Sequence, residues 1–110
     1  RQDYYRAVVA RDEAVVQNSF AEKVNYLSYG TLPRAKVIAD HRGDWKRYSK
    51  SQFEVSNFVS TSAVSCRFIV DYSLMQGDRP RFGRLEMKAT LTAAAPQKIT
   101  TLEAKVISAR

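Results

Sequence analysis

The chain has 110 residues, 45% hydrophobic and 26% charged, with a formal net charge of +7. That is the size and composition of one globular domain with one core, taken as residues 1–110. No run of about 18 apolar residues could cross a bilayer, and no charged segment leads into an apolar one as in a signal peptide. One Cys and one His exclude an internal disulfide and are too few for a zinc site, so no metal or cofactor is expected.

The charge bias speaks to partners rather than to fold. Cations cluster in "HRGDWKRYSK" (Arg42, Lys46, Arg47, Lys50) and in "GDRPRFGR" (Arg79, Arg81, Arg84). The first cluster surrounds Trp45 and Tyr48, the mixture that a single-strand nucleic-acid surface uses for phosphates and stacking. Solvated faces carry such clusters more often, and no RNA-binding signature is present, so nucleic acid is not the expected partner. Another anionic surface is an equally good reading.

The opening "RQDYYRAVV" is already in helical pattern. It suggests a processed or excised domain whose leader or anchor lies upstream, which would place it outside the cytoplasm; without one, the cytoplasm is the default. From Tyr4 to Phe20 the residues Tyr5, Val8, Val9, Val15, Val16 and Phe20 recur at three- and four-residue spacing, which predicts helix with one buried face. Asp12 interrupts the stripe. Either the helix breaks at "ARDEA" and Asp12 caps a second segment, or its carboxylate faces inward and lines a pocket.

Val24 to Tyr29 reads as a short strand ended by Gly30. "TLPRAKVIADHRGDWKRY" then predicts a helix with Pro33 near its first turn, with Leu32, Ile38, Trp45 and Tyr48 on one face and Lys36, Asp40, Asp44 and Arg47 on the other. Lys36 and Asp40 are spaced for an ion pair. His41 falls on the apolar side, at the core margin or on a cavity wall. After Ser51 the period changes to two: "FEVSNFV", "AVSCRFIVDYSLM", "RFGRLEMKATLTA" and "KITTLEAKVISAR" predict four strands with short connections, hence a twisted antiparallel meander. One face carries Cys66, Phe68, Val70, Tyr72, Leu85, Met87, Ala89, Leu102, Ala104 and Val106. Cys66 belongs to the core by this alternation. The other face carries mixed charges together with Ile69 and Ile107, which hints at a homodimer through it.

Helices, a short strand, a helix and a long antiparallel sheet, with "SFAEKVNY" leading into the first strand, then Gly30 and "LPRAKVIADHRGDW", resemble the nuclear transport factor 2-like superfamily. Its relatives include ketosteroid isomerase and SnoaL-like proteins. The stretch "VNYLSYGTLPRAKVIADHRGDW" is similar to a bacterial branch of unknown function. The resemblance implies an α+β cone: N-terminal helices packed on a strongly curved antiparallel sheet, cystatin-like, with a pocket on the concave face.

The resemblance also implies that Ser28 stands near where the isomerase has its basic Asp, and a neutral hydroxyl cannot take that proton. The expected function is therefore a non-catalytic ligand- or protein-binding module, an accessory domain or small dimer, taking a small apolar or amphipathic ligand. The residues expected nearest its pocket are Tyr5, Asp12, Tyr26, His41, Trp45 and Tyr72. An alternative is an isomerase, cyclase or dehydratase with Asp12 or His41 as base and Tyr5, Tyr26, Tyr29 or Tyr72 as oxyanion donor. A further alternative is a periplasmic component of a secretion assembly.

Overall fold

The computed structural model describes residues 2–109, in the order α1 (Gln2–Ala10), α2 (Glu13–Asn18), β1 (Phe20–Tyr26), β2 (Thr31–Pro33), α3 (Arg34–Arg47), β3 (Lys50–Ser60), β4 (Ser65–Gln76), β5 (Arg79–Leu91) and β6 (Ile99–Ala109). The expected ends at Arg1 and Arg110 lie outside the described residues.

The break in the first helical pattern is present and has a local cause. Arg11 takes φ 57°, its N–H donates to Val8 O at 3.2 Å, and Asp12 N–H donates to Ala7 O at 2.8 Å. This pair of backward bonds closes a helix C-terminus, with Arg11 in the left-handed position that glycine usually fills. Asp12 then starts α2 by accepting the Val15 N–H at 3.3 Å through Oδ1. The bend swings Val16 and Phe20 fully inside.

β1 ends earlier than the alternation predicted, because Leu27 adopts φ 51° and the chain turns there. Gly30, at φ 79°, returns it as β2, pairing Asn25 with Thr31. Leu32 thus belongs to a strand, and Tyr48 lies beyond the helix in extended conformation, so neither continues the helical face expected of them. The buried stripe of α3 is Val37, Ile38 and His41, with Trp45 half-buried behind it.

All six strands form one open, curved sheet in the order β2-β1-β6-β5-β4-β3. β3 to β6 form the expected meander. β1 joins it parallel to β6, a long-range pairing that alternation alone does not reveal. Register shifts in β3–β4 and twice in β5–β6 bend the strands. The concave face buries Cys66, Phe68, Val70, Met87, Ala89 and Leu102. α3 rests on β1 and α1 on β3, the two flanks of the sheet, so the middle strands are roofed only in part.

Two face assignments change as a result. Ala104 and Val106 pair with Met87 and Leu85 on the concave side, yet Ala104 is exposed and Val106 is 63% exposed, because no helix reaches them. Ile107 falls at the register shift between Arg84 and Leu85, where simple alternation no longer assigns a face. On the convex face Asp71 and Arg84 pair across strands at 2.7 Å, and Ile69 is half-buried among them.

Candidate functional site

Two environments share the space between the helices and the sheet. The first is an aromatic cluster around His41, which is only 4% exposed. Its ring centroid lies 5.8 Å from that of Tyr4, 5.7 Å from Phe20, 6.2 Å from Tyr26 and 6.3 Å from Trp45. Nδ1 lies 2.8 Å from Val37 O, which can only accept, so Nδ1 carries a proton. In the neutral ring Nε2 is then the acceptor, and it receives the Tyr4 hydroxyl at 2.6 Å. Around this pair, Tyr26 Oη donates to Asp40 Oδ2 at 2.7 Å and Trp45 Nε1 donates to Val8 O at 3.0 Å. Among the described residues, no buried side-chain nitrogen or oxygen of the cluster is left without a partner.

Electrostatics follow from this closure. Burial holds the Tyr4 phenol well above its ordinary range, and neighbouring Tyr5, Asp40 and Asp44 push it the same way. Tyr26 is raised by burial first, then by Tyr4 and by its bond to Asp40. Both phenols therefore act as neutral donors.

The second environment is a cavity of about 410 Å³ on the concave face, where α1 and α2 meet the ends of β4, β5 and β6. Val15, Cys66, Phe68, Ala89, Leu91, Ile99 and Leu102 give it an apolar wall. Asn18, Gln97 and Lys98 stand at its rim, with Lys98 Nζ donating to Asn18 O. Tyr4 and Tyr5 form its inner side, and the Tyr4 hydroxyl leads from this wall to His41. Tyr5 divides the cavity from a groove along β3, its ring packed 5.3 Å from Phe53 and 6.2 Å from Phe68. Burial raises its phenol as well.

The residues singled out from sequence thus separate into four places. Tyr5 lines the cavity. Tyr26, His41 and Trp45 come together in the closed cluster, which Tyr4 joins to the cavity wall. Tyr72 lies apart on the sheet, its ring against Gly83, where any Cβ would collide with it. Asp12 is exposed and caps α2, which corrects its reading as a pocket residue: the carboxylate is occupied outside the core. Ser28 is exposed in the turn after β1, and Asp40 takes Tyr26 rather than Lys36 as its partner.

Sequence reasoning missed Tyr4, Asp40 and the rim residues. Tyr4 had a signal in its spacing to Ala7, three positions on along α1; both are buried. The Tyr26–Asp40 bond and the rim join distant segments and had none.

No family model matches the chain, and no curated protein matches it. Solved structures do. The chain is similar to an NTF2-like protein of unknown function from Exiguobacterium sp. 255-15, at 14% identity and a TM-score of 0.80, covering 96% of this chain and 95% of that one. It is similar to ActVI-ORFA from Streptomyces coelicolor, at 12% identity and a TM-score of 0.78, covering 94% and 86% of the two chains. It is also similar to an LEH-like epoxide hydrolase from Mycobacterium tuberculosis, at 9% identity and a TM-score of 0.76, covering 96% and 77%. The chain has the nuclear transport factor 2-like cone fold, as its sequence resemblance implied. Identities this low speak for fold alone, and this fold hosts binders and enzymes alike.

Proposed function

We propose that this chain is a binding module that holds one small amphipathic molecule in the cavity at the mouth of the cone. The observation that carries this reading is the division of labour on the wall. Apolar side chains from β4, β5, β6 and α2 offer a body-sized slot, and Asn18, Gln97 and Lys98 offer polar contacts only at the rim. A volume of about 410 Å³ falls within the usual range for small-molecule sites, roughly 300–1,000 Å³. The buried hydrogen-bonding groups behind the wall are already satisfied by one another, so they ask nothing of the ligand. A native mass spectrum of the purified protein, followed by denaturation and analysis of what is released, tests the reading. It predicts an apolar molecule with one polar or anionic end, lost in Leu91→Trp, whose side chain fills the slot. A wild-type protein that neither retains nor takes up any such molecule would sink it.

A second reading is catalytic, and one observation favours it: Tyr4, a residue of the cavity wall, is bonded through its hydroxyl to His41. A ligand O–H placed at Tyr4 would pass its proton to the phenol oxygen as the phenol's own proton moves to Nε2, leaving an imidazolium whose Nδ1–H stays on Val37 O, the arrangement of a general base. The LEH-like epoxide hydrolase among the structural neighbours shows that the scaffold accommodates chemistry on small molecules. Turnover of a retained molecule that vanishes in Tyr4→Phe, with binding intact, would establish this reading over the first.

A further inference from the structure

The two basic stretches of the sequence, some thirty residues apart, meet at one end of the fold. The β3–β4–β5 register sets Lys50 beside Met75 and Met75 beside Pro80, and pairs Gln76 with Arg79 and Leu74 with Arg81. Lys50 and the β5 arginines therefore sit two strand spacings apart, about 10 Å. Arg79 and Arg81 share one face of β5, about 7 Å apart. The C-terminus of α3 brings Lys46 and Arg47 to the same end, where Ser49 N–H donates to Met75 O at 2.8 Å. Arg11 fastens the corner from the α1–α2 junction, its guanidinium donating to Tyr48 O at 2.6 Å.

Residues 44–51 and 74–81 hold five cations and two carboxylates, Asp44 and Asp78, so +3 of the chain's formal net charge of +7 is concentrated there. All five cations are exposed, and Lys46, Lys50, Arg79 and Arg81 form no ion pair among the described residues; Arg47 shares Asp44 at 3.6 Å. The patch is remote from the cavity: seven residue steps of β4 separate Phe68 on the cavity wall from Met75, roughly 23 Å of strand.

We propose that this end of the cone is a docking surface for an anionic lipid membrane. The charge count matches what phosphate-bearing headgroups attract, a cluster of about four to eight Lys and Arg. The shape suits a plane: the cations stand on the tip of the β4–β5 hairpin and the helix end, at one extremity of the sheet rather than in a groove. Phe82, 47% exposed, lies on the face of Lys50, opposite to that of Arg79 and Arg81, and offers an apolar side chain for the interface. Nucleic acid fits less well, because the aromatic residues of the first basic stretch are not free to stack. Trp45 packs against the His41 cluster with its N–H bonded to Val8 O, and Tyr48 is half-buried with Arg47 over its ring.

The test is co-sedimentation with vesicles of phosphatidylcholine and phosphatidylserine in a three-to-one ratio, against vesicles of phosphatidylcholine alone. Two triple variants of equal net charge are compared: Lys50→Gln/Arg79→Gln/Arg81→Gln at the patch, and Arg67→Gln/Lys88→Gln/Lys105→Gln on the convex sheet face. Unchanged thermal midpoints certify that both fold. The proposal expects salt-sensitive binding of the wild type to the anionic vesicles only. It expects the patch variant to lose about 100-fold in partition and the convex-face variant to lose less than about tenfold. Equal losses in both would show that net charge alone acts, and absence of wild-type binding, or retention of a single-stranded oligonucleotide but not vesicles, would overturn it.

Discussion

The two halves of the cone interior are built from similar residues to opposite effect. Around His41, among the described residues, no buried side-chain nitrogen or oxygen is left without a partner: Tyr4 to Nε2, Nδ1 to Val37 O, Tyr26 to Asp40 and Trp45 to Val8 O. Toward the ends of β4, β5 and β6 the same concave face meets α1 and α2 without filling the space between them, and a cavity remains. The difference follows from where the helices rest. α3 lies on β1 and closes that flank, whereas α1 lies on β3, and between them the middle strands are roofed only in part. Aromatic and titratable residues alone therefore do not mark a site in this fold; unfilled space between the helices and the sheet does.

The sharpest contrast is in stability. Phe20, fully buried in the closed half, should lose about 3–5 kcal/mol on substitution by Ala, whereas Leu91→Ala on the open wall should cost about 1 kcal/mol, both read from urea unfolding. Comparable losses would break the distinction. Next comes Tyr4→Phe, which leaves the buried Nε2 of His41 without its donor and should cost about 1–3 kcal/mol.

A third effect appears in alkali. Tyr26 is raised above its ordinary 10.0, so the unfolded chain releases that proton first and binds fewer protons than the folded one. Stability from this source is full below pH 10 and falls as pH rises beyond it. Tyr26→Phe should flatten part of that slope in unfolding measured across alkaline pH, the remainder belonging to Tyr4 and Tyr5, which are raised as well. The smallest effect is at the surface, where Arg42 donates to Glu13 and holds its carboxyl below the usual 4.5. That contribution is present above pH 4.5 and is lost as pH falls below it; Glu13→Gln should remove only this slight acid dependence.

Much of the architecture was legible because local rules produced it. The α1–α2 break could be read from a carboxylate that would otherwise have interrupted an apolar stripe, and the meander from period-two alternation separated by short turns. What stayed hidden was non-local. The parallel β1–β6 pairing, the Tyr26–Asp40 bond and the register shift at Ile107 depend on segments that meet only in the folded chain. The site fared worse than the fold for the same reason. His41 looked like a residue at a margin or on a wall, and it lies in the core because Tyr4, a neighbour of the residue chosen instead, reaches it across the interior. The rim of the cavity joins α2 to the β5–β6 connection, and neither segment carries a pattern of its own.

The most direct test of the central claim is a fluorescence titration with 8-anilinonaphthalene-1-sulfonate, an amphipathic anion, on wild type, Leu91→Trp and Tyr4→Phe. If the open half is the binding site and the His41 cluster is closed to ligand, Leu91→Trp weakens binding by at least about tenfold and Tyr4→Phe changes it by less than about threefold. Equal affinity in wild type and Leu91→Trp, or a loss confined to Tyr4→Phe, would contradict the account.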